Sequence, residues 1–278
     1  MTTLPDLVST AWLAEHRDSV RLLDATWFLP TENRNAEAEF SAAHLPGAVR
    51  FDIDSVADRT TALPHMLPTA AAFGSAVGAM GIGNADRVVV YDRNAMAPAA
   101  RVWWTFRVFG HDKVAVLDGG FDKWRAEGRS MSSGIPSLEP RLFKAVLRPA
   151  LVSNRISVGV ASRQGVVQVV DARPPGRFLG KDPEPRPGLR GGHVPGAKNV
   201  WFRSLLAPDG TLLPSGDLAA RFEASGVDTT QLVIAMCGSG VTASLVAFAL
   251  RAVGAADAAV YDGSWAEWGA PGDTAVET

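Results

Sequence analysis

Leu232-Val233-Ile234-Ala235-Met236-Cys237-Gly238-Ser239-Gly240-Val241-Thr242-Ala243 decides the fold. An apolar run enters a glycine-rich turn, and an apolar helical pattern from Val241 to Val253 follows at once. A strand that hands a thiol to a helix N-terminus is a unit of an α/β sheet, whose ligands gather at the carboxyl ends of the strands. The glycines free backbone N–H groups, and with the helix dipole these favour an anionic sulfur, thiolate or persulfide. Cys237 is the only cysteine in 278 residues, which excludes an intrachain disulfide and a Cys-rich zinc site.

Outward from this stretch, the chain is written twice. Val169-Val170-Asp171-Ala172 answers Leu22-Leu23-Asp24-Ala25, and His193-Val194-Pro195-Gly196-Ala197 answers His44-Leu45-Pro46-Gly47-Ala48. Tyr261-Asp262-Gly263-Ser264-Trp265 with Trp268 answers Leu117-Asp118-Gly119-Gly120-Phe121 with Trp124. Asp24 to Asp171 spans 147 positions, His44 to His193 spans 149 and Asp118 to Asp262 spans 144, in the same order. Such order and spacing imply a duplication, each copy a mainly parallel sheet with helices on both faces. The expected division is 1–135, a polar linker 136–152, and 153–278. The two His-x-Pro-Gly-Ala elements read as turns feeding strands, so His44 and His193 are expected to be structural. Trp124 and Trp268 are expected in the cores.

At an offset of 144, Cys237 aligns with Arg93, in the loop Asp92-Arg93-Asn94-Ala95-Met96-Ala97-Pro98. That loop has no thiol and no glycine, so the first half is expected to lack both nucleophile and amide cradle. Net charge −2 with 20% charged residues gives no basic excess, and nucleic acid is not an expected partner. No apolar run is long enough to cross a bilayer, and the first residues lack the pattern of a secretory signal, so no membrane association and a cytoplasmic location are expected.

Three chemistries suit a cysteine in an anion-holding loop. A tyrosine-phosphatase-like site needs an arginine six residues on, where Ala243 stands. Papain-like acyl transfer needs a His-Asn pair and a different fold class. Sulfur transfer needs a soft nucleophile, an amide cradle and cations for the donor.

The tandem signposts, with Cys237 in the last loop, resemble the two-domain rhodanese-like sulfurtransferases over essentially the whole chain. Phe51-Asp52-Ile53-Asp54, His65-Met66-Leu67-Pro68, Arg101-Val102-Trp103-Trp104 and Phe106-Arg107-Val108-Phe109-Gly110-His111 resemble the same family. Thiosulfate-preferring members carry two basic residues after the cysteine. The neutral Cys237-Gly238-Ser239-Gly240-Val241-Thr242 loop is instead similar to that of the 3-mercaptopyruvate sulfurtransferases. The resemblance implies that Arg177 and Arg186 grip the donor carboxylate and keto oxygen, with Gly238, Gly240, Val241 and Thr242 forming the cradle. It further implies a proton relay through Ser239 and His65, oriented by Asp54, whereas Arg173 and Arg190 are expected to be structural. It implies no metal and no organic cofactor, a small-molecule sulfur donor, and a cyanide, thiol or thioredoxin acceptor. Thiosulfate as donor and a sulfur-binding or redox-sensing module without turnover remain the alternatives.

Overall fold

A computed structural model describes residues 4–136 and 138–278. Two compact units divide the chain: Met1–Asp58, Pro68–Arg148 and Pro208–Thr211 form one, and Arg59–Leu67, Pro149–Ala207 and Leu212–Thr278 the other.

The first unit is built on β1 (Leu7–Val8), α1 (Thr10–His16), β2 (Arg21–Asp24), α2 (Ala36–Ala42), β3 (Ala48–Arg50), α3 (Ile53–Val56), α4 (Ala70–Ala79), β4 (Val88–Tyr91), α5 (Ala97–Val108), β5 (Val114–Leu117) and α6 (Gly120–Ala126). Its five strands lie in the order β1-β5-β4-β2-β3, all parallel, with Leu22 opposite Val89 and Val89 opposite Ala115. Central β4 is apolar at every position and wholly buried, as a parallel strand covered on both faces must be. Val89 and Tyr91 pack with Leu13 of α1, Phe40 of α2 and Phe121 and Trp124 of α6. The alternate residues Val88 and Val90 point the other way, the side covered by α5. Residues 129–136 and 138–148 are strapped along this unit: Ser132 pairs with His44, Arg141 N–H reaches Gly78 O at 2.8 Å, and buried Phe143 meets Phe73 and Phe106 edge-on. Gly78 on α4 makes room for the strap, because a Cβ there would lie 2.3 Å from Arg141 O.

The second unit repeats the plan with β6 (Val152–Ser153), α7 (Arg155–Gln164), β7 (Gln168–Asp171), α8 (Pro175–Phe178), β8 (Lys198–Asn199), α9 (Ser215–Ala224), β9 (Val233–Met236), α10 (Val241–Ala252), β10 (Ala259–Tyr261) and α11 (Ser264–Trp268). The order β6-β10-β9-β7-β8, again parallel, puts β9 at the centre. Val158 and Ala161 of α7 and Trp265 and Trp268 of α11 cover Val169, Ile234, Met236 and Tyr261 on one face. Apolar α10 lies against β9 and β10. Two such parallel-sheet units are the architecture expected from the duplication.

The paired signposts do paired work. His44 Nδ1 meets Phe40 O at 2.9 Å and its ring stacks on Phe40; His193 Nδ1 meets Phe178 O at 2.9 Å and stacks on Phe178. Trp124 Nε1–H donates to Ser130 O and Trp268 Nε1–H to Ala275 O. Both histidines are turn fasteners and both tryptophans are core residues. No described helix is long and apolar enough to cross a membrane.

Candidate active site

Cys237 follows the last residue of central β9, and the loop to α10 is only Cys237-Gly238-Ser239-Gly240. Gly240 sits at φ 80°, a left-handed conformation that glycine takes without a Cβ clash, and it turns the chain into the helix. No side chain caps α10, so its first-turn N–H groups have neither an intrahelical partner nor a side-chain cap. The loop is fixed from behind by α11. Trp265 N–H donates to Cys237 O and Ala266 N–H to Gly238 O, each at 2.9 Å. The C=O and N–H of a trans peptide point in opposite directions. Binding these two carbonyls therefore turns the N–H groups of Gly238 and Ser239 to the far side of the loop. The result is a row of amide donors suited to an anion at a helix N-terminus.

The N–H of Cys237 itself is occupied. It donates to Ser264 Oγ at 3.1 Å, and Ser264 Oγ–H donates to Tyr261 O at 2.7 Å. Ser264 holds this position at φ 47°, where a side chain costs about 1–2 kcal/mol. Its counterpart in the first unit is Gly120, at φ 55°. A serine accepting strain where the twin has glycine was a readable signal, and sequence reasoning passed over it.

The first unit corrects the alignment of Cys237 with Arg93. Trp265 N–H bonds Cys237 O just as Phe121 N–H bonds Asp92 O, and Ala172 N–H bonds Met236 O as Ala25 N–H bonds Tyr91 O. The strands are thus offset by 145 (236 − 91) and the helices by 144 (241 − 97), because the first loop is one residue longer. The structural twin of Cys237 is Asp92. The expectation that the first half lacks an amide cradle is corrected too: the cradle exists and is filled. Asp92 accepts N–H bonds from Asn94 (2.7 Å), Met96 (3.2 Å) and Ala99 (2.7 Å). Burial pushes its carboxyl up to about 6, and the three amides hold it down against that burial. Arg93 turns instead onto the Phe121 ring, 3.5 Å from its centroid, and bonds Ala43 O.

Four of the residues picked from sequence come together around the thiol. Cys237 is 2% exposed, and Ser239 and His65 are 6% exposed each. His65 Nδ1 lies 2.9 Å from Ser239 Oγ. Its segment, Arg59–Leu67, belongs to the second unit by its contacts and is fastened by Leu67 N–H donating to Asp262 Oδ2 at 2.7 Å. Arg186 Nη2 lies 3.4 Å from Ser239 Oγ. Gly238 shows where the cations stand: a Cβ on it would be 3.1 Å from Arg177 Nη2 and 3.7 Å from Arg186 Nη1. Arg177 and Arg186 therefore stand beside Gly238, the residue next to the thiol, and the absence of a side chain there lets Arg177 approach the backbone closely. Val241 and Thr242 open α10. Asp54 lies in the first unit, on α3, where its Oδ2 accepts the Trp27 indole N–H at 2.8 Å.

Arg173 and Arg190 serve the framework. Arg190 bonds the carbonyls of Trp268 and Thr274. Arg173 is fully buried, clasped by both oxygens of Asp171, and lies over the Trp265 ring at 4.1 Å. Burial works against its charge, but Asp171 and Glu184 outweigh it and hold its pKa above the usual value. Glu184, which sequence reasoning treated as part of a polar loop, links Arg173 to Arg177. No group of His, Cys, Asp and Glu able to hold a metal occurs among the described residues.

A family model described as the rhodanese-like domain matches residues 9–127 and again 160–271. The chain is 40% identical to an Arabidopsis thaliana protein named thiosulfate/3-mercaptopyruvate sulfurtransferase 1, mitochondrial, over 100% of this chain and 79% of that one. It is 42% identical to the 3-mercaptopyruvate sulfurtransferase of Homo sapiens, over 94% of this chain and 91% of that one. The crystal structure of SseA from Escherichia coli, a 3-mercaptopyruvate sulfotransferase with the rhodanese fold, superposes with a TM-score of 0.86 at 37% identity, covering 95% of this chain and 99% of that one.

Proposed function

The chain belongs to the rhodanese-like sulfurtransferases, and from that premise we propose that it moves sulfur from 3-mercaptopyruvate to a thiophilic acceptor through a persulfide on Cys237, releasing pyruvate. The observation that carries the choice of donor is the pair of guanidiniums, Arg177 and Arg186, over a neutral Gly238-Ser239 backbone. An α-keto acid offers a carboxylate and a keto oxygen a few bonds away from its sulfur. Two arginines set back from the thiol match that shape, and arginine binds carboxylates in a planar, two-point manner.

In this mechanism the Cys237 thiolate attacks the donor sulfur. A new S–S bond forms, the C–S bond breaks, and its electron pair leaves on the pyruvate enolate. The Ser239–His65 pair supplies the proton that converts the enolate to pyruvate, a general-acid role for which its hydrogen bond is suited. The persulfide terminus is held by the outward amides of Gly238 and Ser239 and the first turn of α10. A second thiophile then attacks the outer sulfur and restores the thiolate, as in other double-displacement reactions. Cyanide leaves as thiocyanate, and a small thiol or thioredoxin leaves as its own persulfide. The reaction requires no metal and no organic cofactor, and we assign it to the cytoplasm.

Thiosulfate is the second reading, favoured by the double name of the Arabidopsis relative. The two are separated by kcat/KM for each donor under one acceptor. Mercaptopyruvate should be the better donor by at least about tenfold, a margin of only ~1.4 kcal/mol; a better value for thiosulfate contradicts the assignment. Cys237→Ser should abolish turnover with both.

A further inference from the structure

Glu184 has no part in the steps above, yet it is a buried acid held by two arginines beside the site. Its side chain is 3% exposed. Oε1 accepts from Arg173 Nη1 at 2.8 Å and from Arg177 Nε at 3.1 Å, while Oε2 accepts from Arg177 Nη2 at 2.5 Å. Arg173 is itself anchored by Asp171, whose Oδ2 lies 2.6 Å from Nη2. Asp171, Arg173, Glu184 and Arg177 thus form a chain of alternating sign whose formal charges cancel, buried at its first three members and partly exposed at Arg177. The chain ends at the guanidinium whose Nη2 stands 3.1 Å from the Cβ position of Gly238.

Two consequences follow for a ligand at that guanidinium. A two-point pair fixes the plane of Arg177, so its orientation is set before the ligand arrives. The negative charge of Glu184 also offsets the attraction of Arg177 for anions, and it does so more for a dianion than for a monoanion. Buried and partly buried charges feel each other strongly enough for this difference to show in rates.

We propose that Glu184 is a specificity-determining positioning residue: it holds Arg177 over Gly238 and cancels one unit of charge there, so that the site takes a singly charged α-keto acid donor in preference to a dianion such as thiosulfate. The role rests on the donor assignment made above.

Two variants separate charge from reach. Glu184→Gln keeps the shape and removes the charge, while Arg173 keeps its anchor on Asp171. Glu184→Asp keeps the charge and shortens the reach by one methylene. Both are checked for a wild-type melting curve, and kcat/KM is measured for both donors at fixed ionic strength. In Glu184→Gln the ratio of thiosulfate to mercaptopyruvate kcat/KM should rise about tenfold, the effect of one added unit of charge on one extra donor charge in a half-screened pocket. In Glu184→Asp the ratio should stay within about twofold of wild type, while KM for mercaptopyruvate rises several-fold and kcat holds. Parallel loss with both donors in both variants marks a purely structural acid and overturns the role, as does an unchanged ratio in Glu184→Gln. The wild-type protein gives an arm independent of any variant: pyruvate should compete with mercaptopyruvate more strongly than sulfate does, and the reverse order overturns the charge filter. Failure of mercaptopyruvate to add sulfur to wild-type Cys237 overturns the donor assignment itself. Normal sulfur loading with an unchanged ratio in Glu184→Gln overturns only the role of Glu184.

Discussion

Replacing Ser264 tests how the thiol loop is held. Ser264→Ala removes two hydrogen bonds, from Cys237 N–H at 3.1 Å and to Tyr261 O at 2.7 Å. The second is worth about 1 kcal/mol, and the first leaves a buried amide unpaired at a cost of about 1–3 kcal/mol. The alanine keeps its Cβ at φ 47°, so the strain stays. The sum is a loss of about 2–4 kcal/mol. Ser264→Gly forfeits the same bonds but relieves about 1 kcal/mol of strain, so it should be the more stable of the two variants by that amount. Urea denaturation of wild type and both variants measures this, with equal m-values as the check on two-state behaviour. Both variants should also load sulfur on Cys237 more slowly, because the first amide of the loop has lost its tether. Alanine and glycine variants of equal stability would refute the strain, and an alanine variant within about 0.5 kcal/mol of wild type would refute the tether.

Gly238→Ala places a Cβ 3.1 Å from Arg177 Nη2, a group that Glu184 prevents from yielding freely. KM for mercaptopyruvate should rise about three- to tenfold with kcat nearly kept, since a misplacement of a full ångström costs about a hundredfold; steady-state kinetics of pyruvate release checks it. His65→Gln and Ser239→Ala should each lower the rate of pyruvate formation about 100-fold, the ordinary worth of a general acid, and stopped-flow measurement of the first half-reaction reads it. Asp92 carries a pH dependence. Its folded pKa of about 6 lies above the ordinary 3.8, so the preference for the protonated form is fully present below pH 3.8 and is lost as pH rises through 6. Between pH 4 and 7 the wild type should lose about 2 kcal/mol of stability relative to Asp92→Asn. Urea titrations of both proteins at the two pH values test this, and a difference independent of pH contradicts it.

The duplication was legible because His44 and His193, and Trp124 and Trp268, do the same jobs in both units and so recur with the same neighbours. Cys237 was legible because a strand, a glycine turn and a helix leave little choice of geometry. Its twin was misread by one residue. The extra residue of the first loop has no marker in sequence, and Asp92 reads as an ordinary strand-end acid until its three amide bonds are seen. Glu184 was invisible for a different reason: it lies among prolines and charges, as solvated loops do, and only the convergence of Arg173 and Arg177 buries it. The strap that carries Phe143 reads as a connector because its polarity hides that residue, whose burial depends on α4 and α5 presenting Phe73 and Phe106. Arg177 and Arg186 were visible through resemblance alone, since nothing in their spacing places both beside Gly238.

The central claim is the sulfur-bearing cysteine. Wild-type protein is incubated with mercaptopyruvate and no acceptor, the intact mass and the peptide containing Cys237 are determined, and released pyruvate is counted. The account predicts one added sulfur atom, located on Cys237, with one pyruvate released per loaded chain, and removal of that sulfur by cyanide. Pyruvate release with an unmodified Cys237, or no added sulfur at all, contradicts it.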